Sequence, residues 1–226
     1  MFRTFRWAAL VAFLAAAPAW SADKYTIKTV KAEPPKELKD PVRKALGDQS
    51  VQLLDGSGNV VCQLWFRKEV PSEATADQVK NGLTYRELKE TTLMGTVQYP
   101  KAATDYRKQK IKPGVYTLRL GFQPQDGDHM GVSPYQEFCL LVSASQDPKP
   151  DVMDPKALQD LSSKGIGTTH PAVLMLAPND KPKAEPQLAD KGNDTWVLNL
   201  KEDVTVGGKK ASNGLGVGLT VIGHAE

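Results

Sequence analysis

The chain has 226 residues, of which 40% are hydrophobic and 24% charged. That composition excludes a disordered polypeptide and a multi-span membrane protein, and the length allows a sizeable buried core. The balance of 29 Lys and Arg against 26 Asp and Glu is too even, and too dispersed, for a nucleic-acid footprint of clustered basic and aromatic residues. With 18 Gly and 16 Pro against 7% aromatic residues, short strands and frequent turns are expected rather than a helical bundle.

The first residues, Met1 to Arg6, carry Arg3 and Arg6 and no acid. An apolar run of 11 residues follows, from Trp7 to Ala17, and then Pro18-Ala19-Trp20-Ser21-Ala22. A basic start, a short apolar core and small residues before a polar segment make a secretory signal peptide, read here as residues 1–21 with cleavage after Ser21. The run is well short of the roughly 20 residues that a membrane-spanning helix needs. No later stretch is longer, so the mature chain is expected to be periplasmic or secreted, with no transmembrane segment. Removing the leader leaves 27 basic and 26 acidic residues.

Residues 22–48 read as a Lys- and Pro-rich N-terminal extension. They hold one strand at 25–30 and a short helix that starts at Asp40-Pro41 and stops at Gly47. Strands at 50–54 and 59–67 flank the turn Asp55-Gly56-Ser57-Gly58. In the second of them Val60, Cys62, Leu64 and Phe66 share one face, and Trp65 points to the other. There Trp65 is expected either to lie under a helix, the one near 155–164, or to stay exposed and stack on a sugar or a partner. Residues 68–90 are charged and ambiguous, with room for a helical turn or two. Residues 93–99 alternate as a strand. The turn Lys112-Pro113-Gly114 launches a strand at 115–122 with Tyr116, Leu118, Leu120 and Phe122 on one face. A polar loop, 123–135, leads to a strand at 137–143, whose stronger apolar face is Phe138, Leu140 and Val142.

Asp147-Pro148-Lys149-Pro150-Asp151 reads as a linker. A helix follows, with Asp154 as N-cap, Pro155 at the first position and Gly165 as the stop. Beyond it come a strand at 172–177, an exposed loop at 178–193, and strands at 195–200, 204–206 and 215–222. About nine short strands with one or two short helices predict an all-β fold, an antiparallel β-sandwich or partly open barrel. It occupies 49–222 as one domain, with a helical insertion near 154–165.

The segment Ile111-Lys112-Pro113-Gly114-Val115-Tyr116-Thr117-Leu118-Arg119-Leu120 resembles the Pro-Gly-x-Tyr-x-Leu strand of secreted prealbumin-like sandwiches, including carboxypeptidase-regulatory-like modules. The resemblance implies a non-catalytic module that accompanies other domains or sits at a cell surface. It carries over no functional residues.

The densest chemistry lies in loop 123–135, which holds Asp126, Asp128, His129 and Tyr135. With Asp126 as position one, Asp128, Gly131 and Glu137 fall at positions three, six and twelve of a calcium-loop pattern, although Met130 stands at five and Pro134 interrupts it. The same loop suits a transition metal if His129 and His170 converge with Asp126 or Asp128. The competing expectation is a turn whose carboxylates bond nearby backbone N–H groups. The even cysteine count suggests a Cys62–Cys139 disulfide in an oxidising compartment. The alternation opposes it, because Cys139 lies opposite the stronger face of its strand. No Gly-x-Ser-x-Gly elbow and no phosphate loop occur. The expected function is therefore a non-enzymatic module binding an envelope or extracellular partner or ligand, at Asp126, Asp128, His129, Tyr135 and Trp65. The alternative is a metal-binding protein or metal-dependent enzyme centred on the same loop. His224, third from the end, reads as part of a loose tail.

Overall fold

The structure is a computed structural model that describes residues 24–124 and 133–225. The leader, and Asp126, Asp128 and His129 of the loop, lie outside those residues. In chain order the strands are β1 (Tyr25–Lys31), β2 (Leu46–Asp55), β3 (Val60–Arg67), β4 (Val70–Ser72), β5 (Leu93–Tyr99), β6 (Ala103–Thr104), β7 (Lys110–Ile111), β8 (Gly114–Phe122), β9 (Glu137–Ser143), β10 (Val173–Ala177), β11 (Gln187–Asp190), β12 (Trp196–Glu202), β13 (Val204–Val206), β14 (Lys209–Lys210) and β15 (Leu215–Ile222). The helices are α1 (Asp40–Ala45), α2 (Ala76–Asn81) and α3 (Pro155–Ile166).

Ten strands form one antiparallel sheet in the order β1-β2-β3-β5-β8-β9-β10-β15-β12-β11, curled almost into a barrel. The fold is all-β, and its main sheet is continuous, as in a partly open barrel. Strand alternation sets the inside. Tyr116, Leu118 and Leu120 of β8 meet Leu53, Leu64, Val97, Leu141, Leu198 and Leu219 in one core, while Val115, Thr117 and Arg119 point outward. The seam between the two edge strands is bridged by the Tyr25 ring, which meets Trp196 edge-on at 5.4 Å, and by Lys24 Nζ, 2.5 Å from Asp194 Oδ1.

Within residues 24–48, β1 and the start of β2 belong to the main sheet. β1 pairs with β2 from Tyr25↔Asp55 to Lys31↔Gln49, and β2 starts at Leu46, directly after α1. Gly47 therefore lies in a strand and does not stop the helix. Asp40 is the first residue of α1 and bonds Arg43, 2.6 Å away, with no capping bond from the preceding Lys39. β11 falls inside the segment expected to be an exposed loop. Its order comes from the ladder Gln187↔Asn199 to Asp190↔Trp196, with little apolar patterning of its own.

A small sheet, β14-β13-β4, lies outside the main sheet, with β13 parallel to β4. α2 carries a capping box between Thr75 and Gln78. No helix among the described residues is long and apolar enough to cross a membrane.

Candidate functional site

The outer face of the sheet is covered twice. One cover is the N-terminal segment. Leu38 and Val42 pack with Leu46, Leu93, Val115 and Ala144 around Trp65. Trp65 is 2% exposed, and its Nε1 donates to the Ala32 carbonyl at 2.8 Å. The sequence placed this indole correctly on the outer face but assigned its cover to the wrong helix. The burial leaves no ring face for a sugar or a partner.

The other cover is α3. Asp154 Oδ1 accepts from Ala157 N at 2.9 Å, as an N-cap should. The helix does not stop at Gly165. It runs to Ile166, and Gly167 terminates it in the left-handed region at φ 76°. Gly165 serves a different need. A Cβ there would lie 3.4 Å from Ser143 N, so its absence lets the helix approach the end of β9. Leu158 then packs on Leu140 and Val142, with Phe138, Met153, Leu161 and Val173 around them. The stronger apolar face of β9 is thus its outer one, under α3, while Cys139 and Leu141 enter the barrel core.

Cys62 lies in that same core, so the two cysteines share the interior, contrary to the face argument made from the sequence. They are nevertheless free thiols and no disulfide joins them. Burial alone pushes both thiols up to about 12, which leaves them protonated and unreactive.

The linker that leads into α3 is tied down by a buried arginine. Arg119 and Asp147 are both fully buried. Arg119 Nε and Nη2 donate to the two Asp147 oxygens, each at 2.7 Å. Nη1 donates to Thr91 O at 2.7 Å and to Asp151 O at 2.9 Å, and Nη2 also donates to Lys149 O. Thr117 Oγ1 donates to Asp147 Oδ2 at 2.5 Å. Thr91 holds φ 71°, and its hydroxyl both donates to Met153 O and accepts from Met153 N, each at 2.9 Å. Every donor of the guanidinium is thereby used. This knot holds residues 147–153 against the sheet and offers no open position to a ligand.

Between α3 and the sheet lies a cleft of about 770 Å³. Its floor is apolar: Phe138, Leu140, Val173 and Met175. Phe138 sits flat because its partner across the ladder is Gly121, where a Cβ would come within 2.5 Å of the ring. One wall is the α3 face with Lys156, Gln159, Asp160 and Ser163. The opposite wall is the turn Tyr106–Lys108. A buried carboxylate builds that turn. Asp105 Oδ1 accepts from the backbone N of Arg107 at 2.9 Å and of Gln109 at 2.7 Å. Asp105 Oδ2 accepts from Gln109 Nε2 at 2.9 Å and from Val173 N at 3.0 Å, which ties the turn to the floor strand. The C-terminal segment is fixed here as well. Ala225 N donates to Tyr106 O at 2.8 Å, so His224 does not belong to a loose tail.

The residues singled out in the sequence are scattered relative to this cleft. His170 lines it from an exposed loop. Gln123, Pro124 and Ser133, which flank the undescribed part of loop 123–135, also line it. The ends of that loop are fastened by Gln123 N donating to Gln136 O at 2.7 Å. Glu137 is engaged by Arg86, whose Nε stands 2.7 Å from Glu137 Oε1 while its guanidinium covers the Phe122 ring at 4.6 Å. Tyr135 is 38% exposed. Among the described residues, no group of three or more His, Cys, Asp or Glu is placed to hold a metal. Asp105 went unremarked in the sequence, although its spacing to Arg107 and Gln109 suits a carboxylate that caps its own turn. No protein-family model, curated protein or solved structure matches the chain.

Proposed function

We propose that this is a binding protein of the periplasm or extracellular space, a non-enzymatic β module that takes a small molecule in the cleft beneath α3. The cleft itself carries the reading. Its volume of about 770 Å³ lies within the roughly 300–1,000 Å³ of ordinary small-molecule sites. It has the usual composition of such sites, an apolar floor with a few polar groups at fixed places. Both walls are anchored by buried polar groups, Asp105 on one side and the Arg119–Asp147 knot on the other, so the shape is set before a ligand arrives. The leader pattern supports the location, and the strand resemblance supports a module that works beside a partner.

A neutral apolar dye tests the cleft without presuming a charged ligand. N-phenyl-1-naphthylamine should brighten with saturable, one-to-one binding. Ser163 is half-buried on the cleft side of α3, and its hydroxyl donates to Gln159 O at 2.9 Å. Ser163→Trp should fill the space and abolish dye binding without lowering the melting temperature. Equal dye binding by wild type and Ser163→Trp would remove the cleft from consideration.

A further inference from the structure

The cleft is electrically lopsided along its length. The floor strands give the axis: Met175 pairs with Phe138, and Val173 pairs with Leu140. The Phe138–Met175 end is bounded by Ser133, whose hydroxyl donates to Met175 Sδ at 3.5 Å. The Val173 end is bounded by the Tyr106–Lys108 turn, because Tyr106 N donates to Val173 O at 2.9 Å. Among the described residues, four charged side chains line the cleft: Arg107, Lys108, Lys156 and Asp160. The only acid among them, Asp160, is occupied, since Lys156 Nζ stands 2.6 Å from its Oδ1 one helical turn away. Arg107 and Lys108 make no ion pair with any described residue, and both are exposed. Lys108 holds φ 64°, a left-handed conformation, and the Asp105 carboxylate locks the turn that displays both cations.

We infer that the ligand is an amphipathic organic anion. Its apolar body lies on Phe138, Leu140, Val173 and Met175, and its anionic group meets Arg107 and Lys108 at the Val173 end. The inference rests on the cleft being a binding site and adds the chemistry of its occupant. An uncharged apolar molecule would use the floor and leave the two cations unanswered. A cation would meet two like charges at the Val173 end, and Asp160, the one acid among the described lining residues, is already paired. An arginine beside a lysine suits a carboxylate, since the planar guanidinium can donate two bonds and the ammonium adds a point charge.

Two acid–alcohol pairs test this by displacement of N-phenyl-1-naphthylamine at low salt. One is decanoate with decanol, for an alkyl body. The other is 2-naphthoate with 2-naphthalenemethanol, for an aromatic one. In at least one pair the acid should bind at least about tenfold more tightly than its alcohol, which is the weight of one charge-assisted hydrogen bond. The pair that shows the difference identifies the body. The advantage should vanish in Arg107→Glu/Lys108→Glu, and in wild type it should shrink as salt rises, since exposed charges are screened. The salt series needs no variant, so it decides the matter even if the double replacement folds poorly. An acid no tighter than its alcohol in both pairs, an advantage that survives high salt, or one that survives charge reversal in a folded variant, would overturn the inference. If the alcohols displace the dye from wild type and Ser163→Trp abolishes dye binding, the cleft stands and only the anion falls. If dye binding ignores Ser163→Trp, the cleft reading fails first.

Discussion

The two covers of the outer sheet face use similar materials and reach different results. Under the N-terminal segment, Leu38 and Val42 close over Trp65 until even the indole N–H is bonded to protein. Under α3, Leu158 reaches Leu140 and Val142, but Phe138 and Val173 stay half-buried and a cleft of about 770 Å³ remains. The difference lies in how each cover is attached. The N-terminal segment runs directly into β2 through α1 and is drawn onto the sheet by the β1 ladder. α3 is held at its start by the linker knot and at its end by Ser162, whose hydroxyl accepts from Ala172 N at 3.0 Å. A helix pinned at two points can stand off the sheet between them. One cover seals a core and the other leaves a cleft.

The largest expected effect is on the knot that attaches the open cover. Arg119→Leu strands the Asp147 carboxylate in a fully buried place with only Thr117 to bond it. Removing one partner of a buried pair costs about 3–5 kcal/mol, to be read from urea unfolding. Arg119→Met with Asp147→Asn removes both charges and should recover part of that loss. A single substitution costing under about 1 kcal/mol, the range of exposed pairs, would mean that the knot does not hold the linker.

Truncating the ring beneath the sealed cover comes next and sharpens the contrast. Trp65→Ala should cost about 3–5 kcal/mol, since a fully enclosed ring leaves a cavity. Phe138→Ala, on the cleft floor, should cost distinctly less, because the ring is already half-solvated, while weakening dye binding strongly. Equal stability losses at the two rings would erase the distinction between seal and site.

Asp105→Ala is a third test. It leaves the Arg107, Gln109 and Val173 backbone N–H groups without their acceptor, at a cost of about 1–3 kcal/mol. The turn carrying Arg107 and Lys108 should loosen, so acid binding should fall more than alcohol binding. A variant that loses stability but keeps the full acid preference would show that the cations need no fixed turn.

How much of this was legible in the sequence follows from which forces are local. The alternation in Cys62–Phe66 and in 115–122, and the Asp154-Pro155 start of α3, are written within a few residues and were read correctly, but the register shift at Leu53/Leu54 turns Val61, not Val60, toward the core. Arg119 was legible as outward-facing but not as buried, because what covers an outer face is decided by distant residues such as Asp147 and Met153. The same ambiguity hid the two faces of β9. Both are apolar, one for the core and one for α3, and periodicity cannot say which is inside. β6, β7, β11 and β14 exist through their partners more than through their own side chains. The cleft had no local signal, being assembled from six separate stretches between Tyr106 and Ala225. Sequence reasoning reached only its edges, at His170 and at the ends of loop 123–135.

The smallest expected effect comes from inside the barrel and asks whether the sealed interior is as dry as its apolar residues imply. Glu202 follows Trp196, Leu198 and Leu200 on the inward face of β12 and is 5% exposed. Its carboxyl has no hydrogen-bond or ion partner among the described residues. Burial, assisted by the neighbouring Asp203 charge, holds its pKa well above the ordinary 4.5. The unfolded chain releases this proton near the ordinary value, whereas the folded chain keeps it to higher pH. Between those two values the native state binds more protons, so stability must fall as pH rises. The contribution is fully present below the unfolded pKa and is lost as pH rises through the folded one. Glu202→Gln keeps the shape and removes the titration. It should match wild type near pH 4 and exceed it at pH 8. The measurement is urea unfolding across that range for both proteins. Parallel stability curves would show that water or a counter-charge reaches Glu202, and that the interior is less sealed at this end than the cover over Trp65.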